Sequence, residues 1–118
     1  MIEATVISYL CSALKTSDVY AERPKTPPAK YYIIERTGSG ETNHIQKAMI
    51  AIQSISQDSL LEAAEMNAQI LKVMPLIVQE IWSVSCCRLN SAYNFTDTET
   101  KEYRYQAVFD LYYTEGES

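Results

Sequence analysis

One histidine, three cysteines and scattered carboxylates are all that this chain offers to bond-making chemistry. A nucleophile needs a base within reach, and His44 has no Ser or Cys beside it in a recognisable elbow. Its plainer reading is a strand or turn residue on the surface. A metal needs clustered ligands, whereas Cys11 and the adjacent pair Cys86-Cys87 give neither C-x-x-C nor H-E-x-x-H spacing. Neighbours in a strand point to opposite faces, so the three cysteines read as reduced, packed residues rather than a disulfide framework. Glu62 and Glu65, three apart, have helical spacing for an acid–base pair, but a solvated helix face explains them more simply. Gly38-Ser39-Gly40 looks like a phosphate cradle yet matches neither glycine-rich phosphate-binding pattern, and Glu41 would repel an anion. No catalytic residue, metal or cofactor is expected.

The totals narrow the remaining choices. A chain of 118 residues, 47% hydrophobic and 21% charged, is long enough to bury one core and too short for a second domain. A formal charge of -5 argues against nucleic-acid binding as the main task, because phosphate binding needs a basic face. Arg23, Lys25 and Lys30 lie close together, but a solvated loop accounts for them. No apolar run approaches the roughly 20 residues needed to span a bilayer, and no secretion signal opens the chain. A soluble protein made in the cytosol is the expectation. Nine tyrosines suit surfaces where one end of a side chain is buried and the other wet, which favours an interface protein.

The elements that would position such a surface follow from periodicity. Ile2, Val6, Tyr9, Leu10, Ala13 and Leu14 recur at helical spacing, predicting a helix over 2–15 with Lys15 in its last turn. Val19-Tyr20-Ala21 is a short extended piece. Pro24, Pro27 and Pro28 then form a stiff link. Lys30 to Thr37 predicts a central strand, Gly38 to Gly40 a hairpin turn, and Ile45 to Ile55 a second long strand. Ser59 with Glu62 three residues on is a capping box, opening a helix with Leu61, Ala64, Ala68 and Leu71 as its buried stripe. Pro75 should end or kink that helix near Met74. Trp82 to Leu89 and Tyr103 to Tyr113 predict a terminal strand pair. In the second strand Tyr103, Tyr105, Ala107, Phe109, Leu111 and Tyr113 share the buried face, and residues 90–100 form an aromatic-bearing loop. The predicted fold is α+β, a mainly antiparallel sheet of four to five strands with two helices packed on one face, leaving the other face open for association.

That terminal pair also carries a resemblance. Tyr93-Asn94-Phe95-Thr96-Asp97, then Glu99, Lys101 and Arg104-Tyr105-Gln106-Ala107-Val108-Phe109-Asp110-Leu111, resemble the C-terminal signature of tail terminator, or tail completion, proteins of long-tailed bacteriophages, especially those of Gram-positive hosts. The likeness extends to the opening helix, to Val19-Tyr20 followed by Pro24 and Pro27-Pro28, and to Tyr32-Ile33-Ile34-Glu35-Arg36-Thr37. Cys86-Cys87 and Pro75 stand outside it. The resemblance implies a homo-hexameric ring on the head-proximal end of the tail tube, closing either in solution or only on the tail. Its partners would be the tail tube protein and the head–tail connector protein, and DNA would pass through without specific binding. The protein would then be made in the host cytoplasm and reside in the virion. The same likeness makes Tyr93, Phe95, Asp97, Glu99, Arg104, Tyr105 and Gln106 the candidate association residues, with Asp97 and Glu99 facing the lumen or a neighbouring subunit. Arg104 has a second reading, a pairing with Asp97 or Glu99 that fixes the loop. Rival functions are a head-completion protein of the phage neck and a cytosolic small-molecule binding module with a tyrosine-lined pocket.

Overall fold

The computed structural model describes residues 1–96, 99 and 102–114, apart from the side chain of Thr42. Its elements run α1 (Ile2–Leu14), β1 (Val19–Tyr20), β2 (Lys30–Thr42), β3 (Ile45–Ser56), α2 (Leu60–Val73), a 3-10 turn (Met74–Leu76), α3 (Ile77–Glu80), β4 (Val84–Asn94) and β5 (Tyr103–Tyr113). The five strands form one sheet in the order β1-β2-β3-β5-β4, with every pairing antiparallel except the short β1–β2 contact. The core lies between one face of this sheet and the helices α1 and α2, which is the α+β arrangement expected from the periodicities.

Alternation in the strands explains the two layers. On the helix side, Tyr32 and Ile34 of β2, Ala48, Ile50 and Ile52 of β3, and Ala107, Phe109, Leu111 and Tyr113 of β5 join Val6, Leu10, Met66 and Ile70 in one cluster. Phe109 is fully buried and sits level with Ile50 across the β3–β5 ladder. Fully burying one such side chain contributes roughly 1.5–3 kcal/mol, so this cluster supplies most of the drive to fold. Helix α2 begins where expected: the Ser59 hydroxyl accepts from the Glu62 amide at 2.9 Å. Glu62 does not turn back on Ser59, as a full capping box would require. Its carboxylate instead accepts from the Ser56 hydroxyl at 2.7 Å, and Ser56 Oγ accepts from the amides of Asp58 and Ser59. Pro75 falls in the 3-10 turn that ends α2, as its ring demands.

Several sequence expectations need correction. The turn between the long strands is Asn43-His44, both at positive φ (52° and 68°), not Gly38 to Gly40. Two consecutive left-handed residues match the twist of a two-residue hairpin, so β2 continues through the glycines to Thr42. Gly38 marks a bulge after Arg36, and an added Cβ there would lie 3.2 Å from Met49 Sδ. The buried stripe of α2 is Ala63, Met66, Asn67 and Ile70, while Leu61 is 69% exposed. Both stripes have spacings of three and four; the fold buries the one continuous with Met74. Lys15 lies beyond α1 as its C-cap at φ 55°, rather than in the last turn. Strand β4 starts at Val84 with Trp82 left 85% exposed, and it extends through Asn94 into residues expected to form a loop. Bulges before Cys86 and Ser91 let its polar sequence stay in register with β5.

Candidate association surface on the open sheet face

The face of the sheet turned away from the helices is built from the intervening strand positions. Across the ladders Tyr31 is level with Ile55 and Arg104, and Ile33 with Gln53, Gln106 and Tyr93. Polar side chains buried at such positions must bond to one another or remain costly. Here they form a directed chain. Arg104 Nη1 donates to Gln53 Oε1 at 3.3 Å, Gln53 Nε2 donates to Gln106 Oε1 at 3.2 Å, and Gln106 Nε2 donates to the Tyr93 hydroxyl at 2.6 Å. A guanidinium has no acceptor, so Arg104 forces the amide of Gln53, and through it that of Gln106, into one orientation. The chain therefore ends on Tyr93 as an acceptor, leaving its own hydroxyl proton to point elsewhere.

Tyr93 lies at the margin of this face and is 43% exposed, next to Phe95 at 44%. Their rings meet edge to face with centroids 5.9 Å apart, and the Arg104 guanidinium stands 5.5 Å from the Phe95 centroid. Local hydrogen bonds hold the aromatics in place. Asn94 Oδ1 accepts from the Thr96 amide in an Asx turn, Phe95 donates its amide to the Arg104 carbonyl at 2.7 Å, and the Arg104 amide donates to Thr96 Oγ1 at 3.2 Å.

Beside this chain lies a charged cluster that periodicity did not reveal. Glu102, buried at the start of β5, accepts from the Tyr31 hydroxyl at 2.8 Å and from Arg23 Nη2 at 3.0 Å. The proline-bearing link between β1 and β2 thus folds over the open face and closes that end. Arg23, which composition placed in a solvated loop, is its clasp. Burial, reinforced by the hydrogen bond to Glu102, pushes the Tyr31 phenol above its usual range, with Arg23 opposing. Glu102 carried no sequence signal, since its partners Tyr31 and Arg23 lie 71 and 79 positions away, while Tyr31 also accepts from Arg23 Nε at 3.3 Å, eight positions away.

Of the candidates, Tyr93, Phe95, Arg104 and Gln106 are brought together. Tyr105 is not: alternation turns it to the helix side, level with Ser54. Tyr103, also counted on the buried face, is exposed at the strand's start. Glu99 is exposed in a turn. Asp97 lies outside the described residues. Gln53 belongs to the site and was missed because its segment reads apolar on both sides. At the far end of the sheet, Lys47 stands 5.7 Å over the Tyr112 ring, beside a cavity of about 480 Å³ lined also by Glu41, Asn43 and Ile45. Burial, with Cys86 and Asp110 nearby, raises the Cys87 thiol to about 12, which makes it a poor nucleophile. Among the described residues no helix is long and apolar enough to cross a membrane, and no group of three metal-ligating side chains occurs. No model of a known protein family matches the chain, and no curated protein does.

Proposed function

We propose that this chain is the tail terminator of a long-tailed bacteriophage. In this reading it caps the head-proximal end of the tail tube as a homo-hexameric ring, ends tube polymerisation and presents the surface that joins the head. The observation that carries it is the half-exposed Tyr93–Phe95 pair, held by Arg104 on the sheet face that the helices leave uncovered. Those residues belong to the stretch on which the resemblance to tail terminators rests. Tyr, Phe and Arg are enriched where proteins meet, and a surface already locked by hydrogen bonds loses little conformational freedom on binding. The net charge of -5 supports the same role, because an acidic ring lets DNA pass without adhering. In this reading the chain holds no cofactor and performs no bond chemistry. Its partners are further copies of itself, the tube protein and the connector.

The test is electron microscopy of lysates from a phage carrying a stop codon in this gene. Filled heads beside unattached tails of uncontrolled length are the expected result. Normal unattached tails with emptied heads would move the protein to the head side of the joint, and normal virions would sink any assembly role.

A further inference from the structure

Among the described residues, two edges of the sheet are not covered by a full strand, and they fit each other. Strand β1 covers β2 only at Tyr32 and Ile33, so, among the described residues, 34–42 present a free edge. At the opposite side β4 is the last strand, and among the described residues nothing pairs with its outer edge. Neither Pro nor Lys, two residues that blunt exposed edges, occurs in 34–42 or 84–94, and the bulges after Arg36 and before Cys86 and Ser91 leave 38–42 and 86–89 as regular pairing stretches. Such an edge offers a row of backbone donors and acceptors that a further strand satisfies.

We propose that these edges pair head to tail, with β4 of one copy adding to the distal half of β2 in the next. Direction permits it. Three successive antiparallel steps lead from β2 through β3 and β5 to β4, so β4 runs opposite to β2. A neighbour in the same orientation then makes the antiparallel pairing already used three times within the sheet. Charge selects it. Glu35 and Arg88 both lie on the open face, exposed, at opposite edges, and neither has an ion-pair partner among the described residues. Within one sheet Gly38 is level with Met49, Asp110 and Arg88, and Glu35 with Ala51, Val108 and Ser91. A copy joined at the same height therefore sets Arg88 diagonally across from Glu35, within reach of a long side chain. Of the self-paired alternatives, β4 on β4 centred on Arg88 and β2 on β2 centred on Glu35 would each set like charges opposite one another. A head-to-tail joint is heterologous, so its repetition closes a ring or grows a filament. The biological setting of this joint rests on the ring reading above, but its geometry rests on the two edges alone.

The experiment uses the purified full chain, followed by sedimentation and hydrogen exchange over a concentration series. Wild-type protein should self-associate, with amides in 34–42 and 84–94 slowing together. Glu35→Arg and Arg88→Glu, both at exposed positions, should each weaken association about tenfold or more while the circular dichroism of the fold is unchanged. An equimolar mixture of the two variants should recover association, because each supplies the edge that the other needs. A chain that stays monomeric to millimolar concentration, protection at one edge only, or no recovery in the mixture would overturn the proposal. Paired edges in a protein whose loss leaves phage tails normal would sink the terminator reading and leave this joint standing.

Discussion

The two faces of one sheet are stabilised by different chemistry. On the helix side, Ile34, Ile50, Ile52, Ala107, Phe109 and Leu111 pack against α1 and α2. On the open side the same strands bury Ala51, Ile55 and Val108 beside Gln53, Gln106 and Arg104, which hydrogen bonds join to Tyr93. Apolar packing is non-directional and strong per residue; a polar chain is directional and contributes little net stability, because water competes for each bond. The helix side therefore holds the larger apolar cluster, and the margin of the open side around Tyr93 orders a surface. Substitutions on the first should be read out in unfolding, and substitutions at the margin of the second in association.

The largest expected effect tests the first half of that contrast. Phe109→Ala empties a fully buried site and should cost about 3–5 kcal/mol of stability in chemical denaturation. A loss under about 1 kcal/mol would mean that the helix layer is not the dominant core. The next largest probes the place where the open face behaves like a core. Glu102→Ala leaves the buried Tyr31 hydroxyl proton without its acceptor, while Arg23 Nε still donates to that hydroxyl at 3.3 Å, and should cost roughly 1–3 kcal/mol, whereas Glu102→Gln keeps an acceptor and should cost less. Equal losses for the two would argue that the negative charge, rather than the acceptor, is what Tyr31 and Arg23 require.

A smaller effect compares the faces through adjacent tyrosines. Tyr32 lies on the helix side and its phenol is raised by burial alone; Tyr31 lies on the open side and is raised by burial first and by Glu102 second. Folding favours the protonated phenol at both positions. Their contribution is thus fully present below the unfolded value near 10 and is lost as the pH climbs through the higher folded values. Stability should fall on the alkaline side of pH 10, and Tyr32→Phe and Tyr31→Phe should each make that fall shallower. A variant whose alkaline slope matches the wild type would show that its phenol titrates normally in the folded protein.

How much of this contrast could be read from the chain depends on whether the signal is local. Strand β5 was legible because Ala107, Phe109, Leu111 and Tyr113 alternate with more polar residues and no rival pattern competes. The start of α2 was legible because Ser59 caps a helix with atoms only three residues apart. Its buried side was not, since Leu61-Ala64-Ala68-Leu71 and Ala63-Met66-Ile70-Met74 are equally periodic, and only the sheet's position decides between them. The hairpin turn was misplaced for a related reason: glycines permit a turn anywhere, but the pairing of Ile34 with Ile52 and Thr42 with Ile45 requires it at Asn43-His44. In the candidate site, Tyr93, Phe95, Arg104 and Gln106 come from the one stretch of sequence that carries the resemblance. Glu102 and Gln53 meet their partners across 51 to 79 positions, and composition carries no trace of such contacts.

The smallest expected change in stability separates the two roles most cleanly. Tyr93→Phe removes one oxygen at a residue that is 43% exposed, so water can replace it as the acceptor for Gln106. Unfolding should shift by no more than about 0.5 kcal/mol, the ordinary range for a surface substitution. The ring, its contact with Phe95 and the strand pairing all remain. What is lost is the acceptor at the end of the Arg104–Gln53–Gln106 chain, together with the outward hydroxyl proton that this chain leaves available. If the open face is the association surface, Tyr93→Phe should weaken self-association or tube capping by a measurable factor at nearly wild-type stability. Phe95→Ala, which also removes the ring beneath Arg104, should weaken it further. Full association in both variants would separate the exposed aromatics from assembly and leave the sheet edges as its sole determinant. A large loss of stability in Tyr93→Phe would instead place the polar chain among the elements that hold the fold, and the division between the two faces would fail at Tyr93.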